Sequence, residues 1–424
     1  MRNFFSIMML TGLLASLFTS CCPKSTDQKP QQLIYGADCS DAFYLDRLNL
    51  IDSAYNTYIA NGYMPQCVGM VVHKGRVVYE KAFGWRDIEK QIPCQTTDIF
   101  RMASSSKAIM CVAFMTLFEE GKVQLDEPIT KYIPEFEHME VLDSYDPATC
   151  SWTSHPASKT LTVRHFLTHT SGLCIDGIYG KIADKLGVPT HMSYDSIPLQ
   201  EAVKLLAKMP LKHEPGEAFT YACNTNVIGA LCEILSGKDI YTFIKERVLD
   251  PCGMTDTYFY LPEEKHDRLV TLYEYPKGGP LTRAEGIYQD FPYTGAQVFC
   301  SPSAGLCGTI QDYAKFCQMI LNNGEFNGKR IIGRKTLELM QKNGVGKMRG
   351  EIGFGMAWDV FTPENAHNTI VSEGSMRWGG MFGTDYIIDP QEQLIVLMYV
   401  NNMPNFSGYN PKTLMHQVTY QALK

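Results

Sequence analysis

Apolar positions near the start of the chain predict a helix followed by a β-hairpin. Residues recurring at spacings of three and four, as on one helix face, are Tyr44, Leu48, Ile51, Tyr55 and Tyr58. Ser40 is the predicted N-cap of this helix and Gly62 its predicted end. The runs Val68–His73 and Arg76–Phe83 are rich in β-formers and are joined by Lys74-Gly75, so they predict two antiparallel strands.

The pattern changes after a second predicted helix, which begins near Ser104 and stops at Gly121. From 122 to about 300 the chain shows short helical patterns, prolines and turns. After this region the sequence predicts a helix at 310–321, strands at 353–360, 384–388 and 394–399, and a last helix that begins at Pro411. We therefore expect an α+β, α/β-sandwich fold: an antiparallel sheet built from both chain ends and flanked by helices, with 122–300 as a largely helical insert.

The first twenty residues predict an export signal. Arg2 supplies the charged start and Ile7–Phe18 a short apolar core, too short to span a bilayer stably. Leu17–Cys21 resembles a bacterial lipoprotein signal with Cys21 as the lipidated residue, although Phe18 departs from the preferred smaller aliphatic residue. We expect a signal peptide at 1–20, a tether at 21–38 and one folded domain at 39–424. The predicted location is periplasmic or outer-membrane-associated, with plain secretion as the alternative.

Charge and cysteine content narrow the class of protein. The 424 residues carry a net charge of −7 and no basic cluster, which argues against a nucleic-acid partner. The 14 cysteines form no Cys-x-x-Cys pair. Several, such as Cys111, Cys232 and Cys317, lie inside apolar patterns and are expected to be small buried residues. Disulfides remain an open alternative.

A serine and a lysine at the start of the second helix are the first candidate catalytic residues. Ser104 and Lys107 stand three residues apart, so both lie on one helix face beside an electropositive N-terminus. This arrangement suits a nucleophile with a nearby base, but it is also what a solvated helix cap contains. Tyr221, at a loop-to-helix junction, is a candidate second base. Trp378-Gly379-Gly380-Met381 predicts either a close backbone approach with an oxyanion donor or a β-bulge.

Longer segments place these candidates in a known family. Phe100–Lys107 resembles the first motif of the class C-like branch of the serine β-lactamase, penicillin-binding protein and esterase superfamily. Leu161–Leu173 and Pro251–Thr257 resemble its connecting segments. Tyr221-Ala222-Cys223 stands where the family has Tyr-x-Asn, and Trp378-Gly379-Gly380 where it has Lys-Thr-Gly or His-x-Gly. The resemblance spans about 68–399.

The resemblance implies a role for each motif residue. Ser104 is the implied acylated nucleophile, and Lys107 and Tyr221 share general-base and general-acid duty. The backbone N–H groups of Ser104 and Met381 form the implied oxyanion hole. No metal or organic cofactor is implied, and the partner is a small-molecule acyl substrate.

Two departures from the motifs bear on substrate. Cys223 replaces the asparagine that would hold a substrate carbonyl, and either Asn224 or Asn226 is a possible substitute. Trp378 replaces a cation that would attract a β-lactam carboxylate, and Trp-Gly-Gly is more typical of the esterases. We therefore expect substrate contacts from Trp378, Gly379, Gly380 and Cys223, and hydrolysis of a small or apolar ester. Arg377 can meet a carboxylate, although a solvated strand-end arginine is the simpler interpretation.

Other functions remain open from the sequence. One is an acyltransferase that serves a hydrophobic alcohol of the sterol or bile acid type, with Tyr288, Phe291 and Tyr293 as candidate lining or as core packing. Another is a β-lactamase, a D-alanyl peptidase or a penicillin-binding sensor. His165 and His169 have the spacing of two metal ligands on one helix face, but no His-Glu-x-x-His pattern accompanies them.

Overall fold

The computed structural model of the protein describes residues 29–424. The predicted signal peptide at 1–20 and the predicted lipidation site at Cys21 lie outside the described residues. Within 29–424, no helix is both long and apolar enough to cross a membrane.

An eight-stranded antiparallel sheet forms the centre of the fold. Its strands are β1 (Gln66–His73), β2 (Arg76–Asp87), β3 (Ile92–Pro93), β4 (Gly353–Phe354), β5 (Asp359–Val360), β6 (Met376–Gly379), β7 (Asp385–Asp389) and β8 (Leu394–Tyr399). They lie in the order β4-β5-β6-β7-β8-β1-β2-β3. The β8–β1 pair therefore joins the two ends of the chain, which confirms the predicted sheet and the α+β class.

Both faces of the sheet are covered by helices. The longer helical elements are α1 (Leu45–Ala60), α2 (Ser106–Glu119), α3 (Val163–Leu167), α4 (Ile178–Leu186), α5 (Leu199–Leu206), α6 (Asn224–Ser236), α7 (Ile240–Ile244), α8 (Ile310–Leu321), α9 (Arg334–Met340) and α10 (Pro411–Gln421). Helices α1 and α10 pack on one face, and α8 packs on the other, where α2 lies in the larger core. Val68 and Met70 of β1 belong to that larger core, whereas Cys67 and Val71 belong to the smaller one, as alternation along a strand requires.

Local sequence explains the elements that matter for the site. The β1–β2 hairpin turns at Lys74 and Gly75, both with positive φ, as a tight two-residue turn requires. Helix α2 is apolar on every side and buries all its residues from Ser106 to Leu117, so it runs through the core rather than along its surface. This buried helix carries Lys107 and fixes where the Ser104 motif lies.

Three local predictions differ from the structure. The N-cap of α1 is Tyr44, and Ser40 lies in the turn before it. The predicted strand at 353–360 is two short strands separated by a bend. The insert also holds an exposed hairpin, Glu140–Asp146 paired with Ser151–Pro156, whose mixed polar sequence hides its strands. Further short strands are Phe100–Arg101, Thr257–Tyr258, Tyr273–Tyr275, Thr282–Arg283, Cys307–Gly308, Glu325–Phe326, Lys329–Arg330 and Asn402–Asn405.

Candidate active site

Ser104 occupies a 3-10 turn, Ala103–Ser105, that leads directly into α2. The preceding residue, Ala103, has φ of 45°, a left-handed conformation that alanine rarely adopts. Two hydrogen bonds hold this strained backbone: the Ser106 hydroxyl donates to the Ala103 carbonyl at 2.6 Å, and the Met102 N–H donates to the Leu306 carbonyl at 2.9 Å. The Ser104 side chain is thereby presented at a fixed, partly exposed position.

Lys107 contacts Ser104 from one helical turn further on. Its Nζ donates to the Ser104 Oγ at 3.3 Å and to the Ser303 carbonyl at 2.7 Å. The side chain is buried, and within 29–424 no carboxylate lies within ion-pair distance of it. A buried amine that is paired only with neutral oxygens is suited to exchanging a proton with the serine.

Ser303 is part of the site that the sequence did not reveal. Its N–H donates to the Asn226 Oδ1 at 3.0 Å, which places the carbonyl that accepts from Lys107. Asn226 is buried and its amide nitrogen donates to the Thr190 carbonyl at 3.2 Å. The possibility that Asn226 takes the place of the substrate-holding asparagine is therefore wrong. Its side-chain oxygen positions the Ser303 backbone, whose carbonyl accepts from Lys107, and its amide nitrogen bonds Thr190.

Tyr221 completes the cluster predicted from the sequence. Its ring centroid lies 4.7 Å from the Lys107 Nζ, and its hydroxyl accepts from the Trp378 indole N–H at 3.3 Å. The residue lies in the loop before α6, partly exposed. The structure thus brings together Ser104, Lys107, Tyr221 and Trp378 from three separate parts of the chain.

His169 supports the tyrosine loop. Its ring lies 4.6 Å from that of Tyr221, and its Nδ1 accepts from the Ala222 N–H at 3.4 Å and from the Asn224 amide at 2.8 Å. Burial, followed by the charges of Lys107 and Arg349, holds the pKa of His169 well below its usual value. The ring is therefore neutral and acts as a buried acceptor.

His165, the second histidine of the possible metal pair, has a structural role at the start of α3. The His165 Nδ1 accepts from the Thr162 N–H at 3.2 Å and closes the capping box of α3. Within the described residues, no group of three or more His, Cys, Asp or Glu side chains is arranged to hold a metal ion.

Cys223 does not line the cleft. The residue has no exposed surface and belongs to the larger hydrophobic core, and burial raises the pKa of its thiol to about 12. The prediction of a substrate contact at Cys223 is therefore wrong, because a side chain without accessible surface cannot touch a bound ligand. Asn224 is equally buried and is occupied by His169 and by the Ser171 hydroxyl, which donates to it at 2.5 Å.

The two glycines after Trp378 allow a close backbone approach. A Cβ at Gly380 would lie 2.2 Å from the Met102 carbonyl oxygen and 2.5 Å from the Thr384 Oγ1. A Cβ at Gly379 would lie 2.4 Å from the Thr384 carbonyl oxygen. The β6–β7 turn is therefore pressed against the residues that precede Ser104, which favours close approach over a plain bulge. Within 29–424, the backbone N–H groups of Ser104 and Met381 donate to no protein acceptor, so both are free to bind a ligand oxygen.

An aromatic wall borders the cluster beyond Tyr221. Trp378 meets Phe354 edge-on at 5.3 Å, and Phe354 lies 5.1 Å from Phe219. The Arg349 guanidinium lies over all three rings, at 4.7 Å from Phe219, 5.6 Å from Phe354 and 5.8 Å from Trp378, and it pairs with Asp359. We define Phe219, Phe354 and Trp378 as the aromatic wall. No sequence motif marked Arg349 or Asp359.

The remaining candidate lining residues, one arginine and three aromatic residues, have different surroundings. Arg377 points to the opposite face of β6 from Trp378, where its Nε lies 3.7 Å from Asp385. Phe291 is buried and its carbonyl accepts from the buried Arg101, so it packs in the structure. Tyr288 is partly exposed and meets Phe382 of the β6–β7 turn at 5.7 Å, and Tyr293 packs against the same small apolar cluster.

The chain is similar to known proteins over most of its length. The family model described as Beta-lactamase matches residues 51–419. An uncharacterized protein of Mycobacterium tuberculosis is 30% identical over 368 residues, covering 82% of this chain and 88% of the relative. Esterase EstB of Burkholderia gladioli is 28% identical over 381 residues, covering 85% of this chain and 92% of the relative.

A solved structure shows the same fold. EstCE1, described as a hydrolase with promiscuous acyltransferase activity, superposes with a TM-score of 0.74 at 24% identity, covering 89% of this chain and 99% of that one. Taken with the family match across most of the sequence, these similarities show that the chain belongs to the beta-lactamase family and is an acyl-serine enzyme.

Proposed function

We propose that the protein hydrolyses small or apolar esters through an acyl-enzyme on Ser104, as a class C-like member of its family. The observation that carries this proposal is the contact between the Lys107 Nζ and the Ser104 Oγ at 3.3 Å, with the Tyr221 ring 4.7 Å from the same amine. An amine that touches the nucleophile and lies against a tyrosine ring is suited to passing one proton in both directions during acyl transfer, with the phenol as its proposed partner.

The proposed reaction has two half-reactions. The Ser104 Oγ attacks the ester carbonyl carbon while its proton passes to the Lys107–Tyr221 pair. The resulting oxyanion accepts hydrogen bonds from the N–H groups of Ser104 and Met381. The intermediate collapses, and the alcohol leaves with the proton that the pair returns. Water then attacks the acyl-Ser104 ester in the same way, which releases the carboxylic acid and restores the serine.

The character of the cleft supports an ester over an anionic β-lactam. Trp378 offers a neutral ring where the lactamase motif has a cation, and the nearby Arg349 charge is paired with Asp359. An unpaired cation is what would attract a substrate carboxylate most strongly. The name of the relative EstB points to the same class of substrate.

Ester hydrolysis and acylation test the proposal directly. Purified protein is expected to hydrolyse short p-nitrophenyl esters, and Ser104→Ala is expected to abolish the activity. A fluorophosphonate should add one mass increment, which peptide mapping places on Ser104 and not on the neighbouring Ser105 or Ser106. Equal activity in Ser104→Ala would contradict the proposal, and rapid nitrocefin turnover would favour a β-lactamase instead.

Acyl transfer to an alcohol is the second candidate. Tyr288 lies beside Phe382 in the β6–β7 turn, so an apolar surface adjoins the free Met381 N–H. The description of EstCE1 as a hydrolase with promiscuous acyltransferase activity supports the same possibility. Product analysis with an acyl donor and a panel of hydrophobic alcohols separates the two reactions, because transfer yields a new ester and hydrolysis yields only the free acid.

We also propose that the chain is exported and anchored by a lipid on Cys21. The support is the charged start, the short apolar core and the Leu17–Cys21 segment of the sequence. The wild-type protein is expected in the membrane fraction with a lipid mass on its mature N-terminus. Cys21→Ser should move the protein to the soluble fraction, and an unchanged distribution would contradict the anchor.

A further inference from the structure

Arg349 is the inward-facing residue of an otherwise exposed stretch. Residues 346–350 lie in the connection between α9 and β4, and its neighbours Met348 and Gly350 are exposed. The Arg349 side chain instead retains 23% of its surface and covers the aromatic wall. A cation held over several rings is attracted to their faces, by an amount that grows as the site is desolvated.

Asp359 holds the Arg349 guanidinium by an ion pair, in addition to the contacts that Arg349 makes with the aromatic wall. It lies on β5, directly opposite Arg377 and therefore one residue from Trp378 in the paired register. Its carboxylate retains 17% of its surface and bonds the Arg349 Nη1. Arg349 is thus attached to the strand next to Trp378 by an ion pair, and it meets the Trp378 ring in a cation–π contact at 5.8 Å.

Two of the three rings of the aromatic wall stand on weakly paired backbone, whereas Trp378 lies on β6, which pairs with a strand on each side. Phe354 belongs to the edge strand β4, which pairs with β5 over only two residues. Phe219 lies in the loop that leads to Tyr221. Neither element can fix a ring orientation through a long hydrogen-bonded ladder, so side-chain contacts must hold the rings in place.

The orientation of Trp378 matters through its indole N–H. That group donates to the Tyr221 hydroxyl at 3.3 Å, so the position of the indole ring helps to fix where the phenol oxygen lies beside the Lys107 amine. A small rotation of the indole would lengthen a hydrogen bond that is already at the far end of the normal range. Tyr221 also faces the Lys107 amine and the His169 ring, so its hydroxyl and its ring are held by neighbours from three different segments.

We infer that Arg349 and Asp359 are positioning residues that hold the Trp378 indole against the Tyr221 hydroxyl. This inference rests on the proposed function of Ser104, Lys107 and Tyr221. Arg349 acts on the reaction through Trp378 and not by binding the substrate, since its charge is paired within the protein.

The test is the kinetics of fluorophosphonate acylation of Ser104 in the purified full chain, followed by intact mass. Arg349→Gln and Asp359→Asn are each expected to lower the limiting acylation rate about tenfold, while the half-saturating probe concentration stays within about twofold. Arg349→Lys keeps the charge but not the planar stacking, so it should give an intermediate rate. Arg334→Gln removes a matched arginine from the exposed Arg334–Glu338 pair of α9 and should leave the rate unchanged.

A double variant decides whether Arg349 acts through the indole. Trp378→Phe removes the N–H, so adding Arg349→Gln to it should lower the rate by less than about twofold further. A full additional tenfold loss would overturn the inference, as would an unchanged rate in folded Arg349→Gln. A raised half-saturating concentration at constant limiting rate would make Arg349 a ligand-binding group instead. Absent labelling of wild-type Ser104 contradicts the proposed function as well, whereas labelled wild type with an unaffected Arg349→Gln contradicts only this inference.

Discussion

Two backbone positions set the spacing between the proposed oxyanion donors, the N–H groups of Ser104 and Met381. Ala103 is held in a left-handed conformation just before the serine, and Gly380 brings the facing turn within contact of the Met102 carbonyl. Each position restricts which residue can stand there, and the physical reason differs between the two. Ala103 stores strain that its neighbours restrain, whereas Gly380 has no room for a Cβ.

Gly380→Ala is expected to displace the β6–β7 turn and the Met381 N–H with it. Loss of one oxyanion donor lowers kcat on the order of 10²–10³-fold. Steady-state ester hydrolysis measures the effect, with circular dichroism to confirm folding. Gly180→Ala in α4 is the control, because its Cβ approaches the Ile175 carbonyl only to 3.0 Å and alanine favours the helix. Wild-type kcat in Gly380→Ala would refute the assignment.

Tyr221→Phe keeps the ring and removes the proposed proton carrier. We expect kcat for ester hydrolysis to fall about 10²–10⁴-fold, the usual contribution of a positioned acid or base. Tyr194→Phe is the control, because it removes the hydroxyl of an exposed tyrosine whose partner is Asp290, at 3.0 Å. If both variants lose activity equally, the Tyr221 hydroxyl has no special role.

At the scale of elements, the site depends on how the β6–β7 turn meets the start of α2. The Thr384 Oγ1 lies 3.0 Å from the Ser105 Oγ and donates to the Met102 carbonyl at 3.1 Å. This buried hydroxyl joins the strand turn that carries Met381 to the helical turn that carries Ser104. The Thr384 side chain, which belongs to neither residue, therefore helps to fix the position of the proposed oxyanion donor Met381 relative to that of Ser104.

Thr384→Val replaces this hydroxyl with a methyl group of similar size. The Met102 carbonyl keeps the Ser105 N–H, but the buried Ser105 hydroxyl loses its contact with Thr384, which costs about 1–3 kcal/mol of unfolding free energy. We expect a lower denaturant midpoint together with an acylation rate about tenfold lower, because the two turns separate. Thr153→Val, in the exposed hairpin where Thr153 contacts Ser144, should change neither quantity. A destabilised variant with full acylation rate would show that the contact serves stability alone.

At the scale of the whole molecule, folding buries two histidine side chains that the unfolded chain exposes to water. His73 ends β1 with only 5% of its surface exposed, and burial lowers its pKa to about 4. His191 lies near Lys107, and burial followed by that charge lowers its pKa to about 4 as well. Both histidines are therefore neutral in the folded protein at pH values where the unfolded chain protonates them.

This difference predicts a loss of stability in mild acid. The unfolded chain binds protons below the ordinary histidine pKa of about 6.5, so stability falls as the pH drops from there to about 4. His73→Gln should remove on the order of 1–2 kcal/mol of that pH dependence. Thermal unfolding at pH 7.5 and 4.5 measures it, with His367→Gln as the exposed control. An unchanged pH dependence in His73→Gln would contradict the predicted burial effect.

The sequence by itself determined the features whose geometry is local. Ser104 and Lys107 share one helical turn, so their contact follows from the period of the helix once α2 forms. The β1–β2 hairpin follows from two short apolar runs and a Lys-Gly turn. The order of several family motifs along the chain was enough to indicate the α+β fold and a serine nucleophile, and both the fold and the acyl-serine class are confirmed.

Only the tertiary structure decided which distant groups meet. Tyr221 and Trp378 are 157 positions apart, and one tyrosine among 23 cannot be selected by spacing. A one-residue step along β6 separates Trp378 in the cleft from Arg377 on the opposite face, so sheet register, not residue type, chose between them. Cys223 fills the core although its motif position suggested a ligand contact, and Arg349 reaches the aromatic wall from a loop without a motif. Local periodicity fixes a helix or a hairpin, whereas contacts between distant segments depend on the packing of the complete fold.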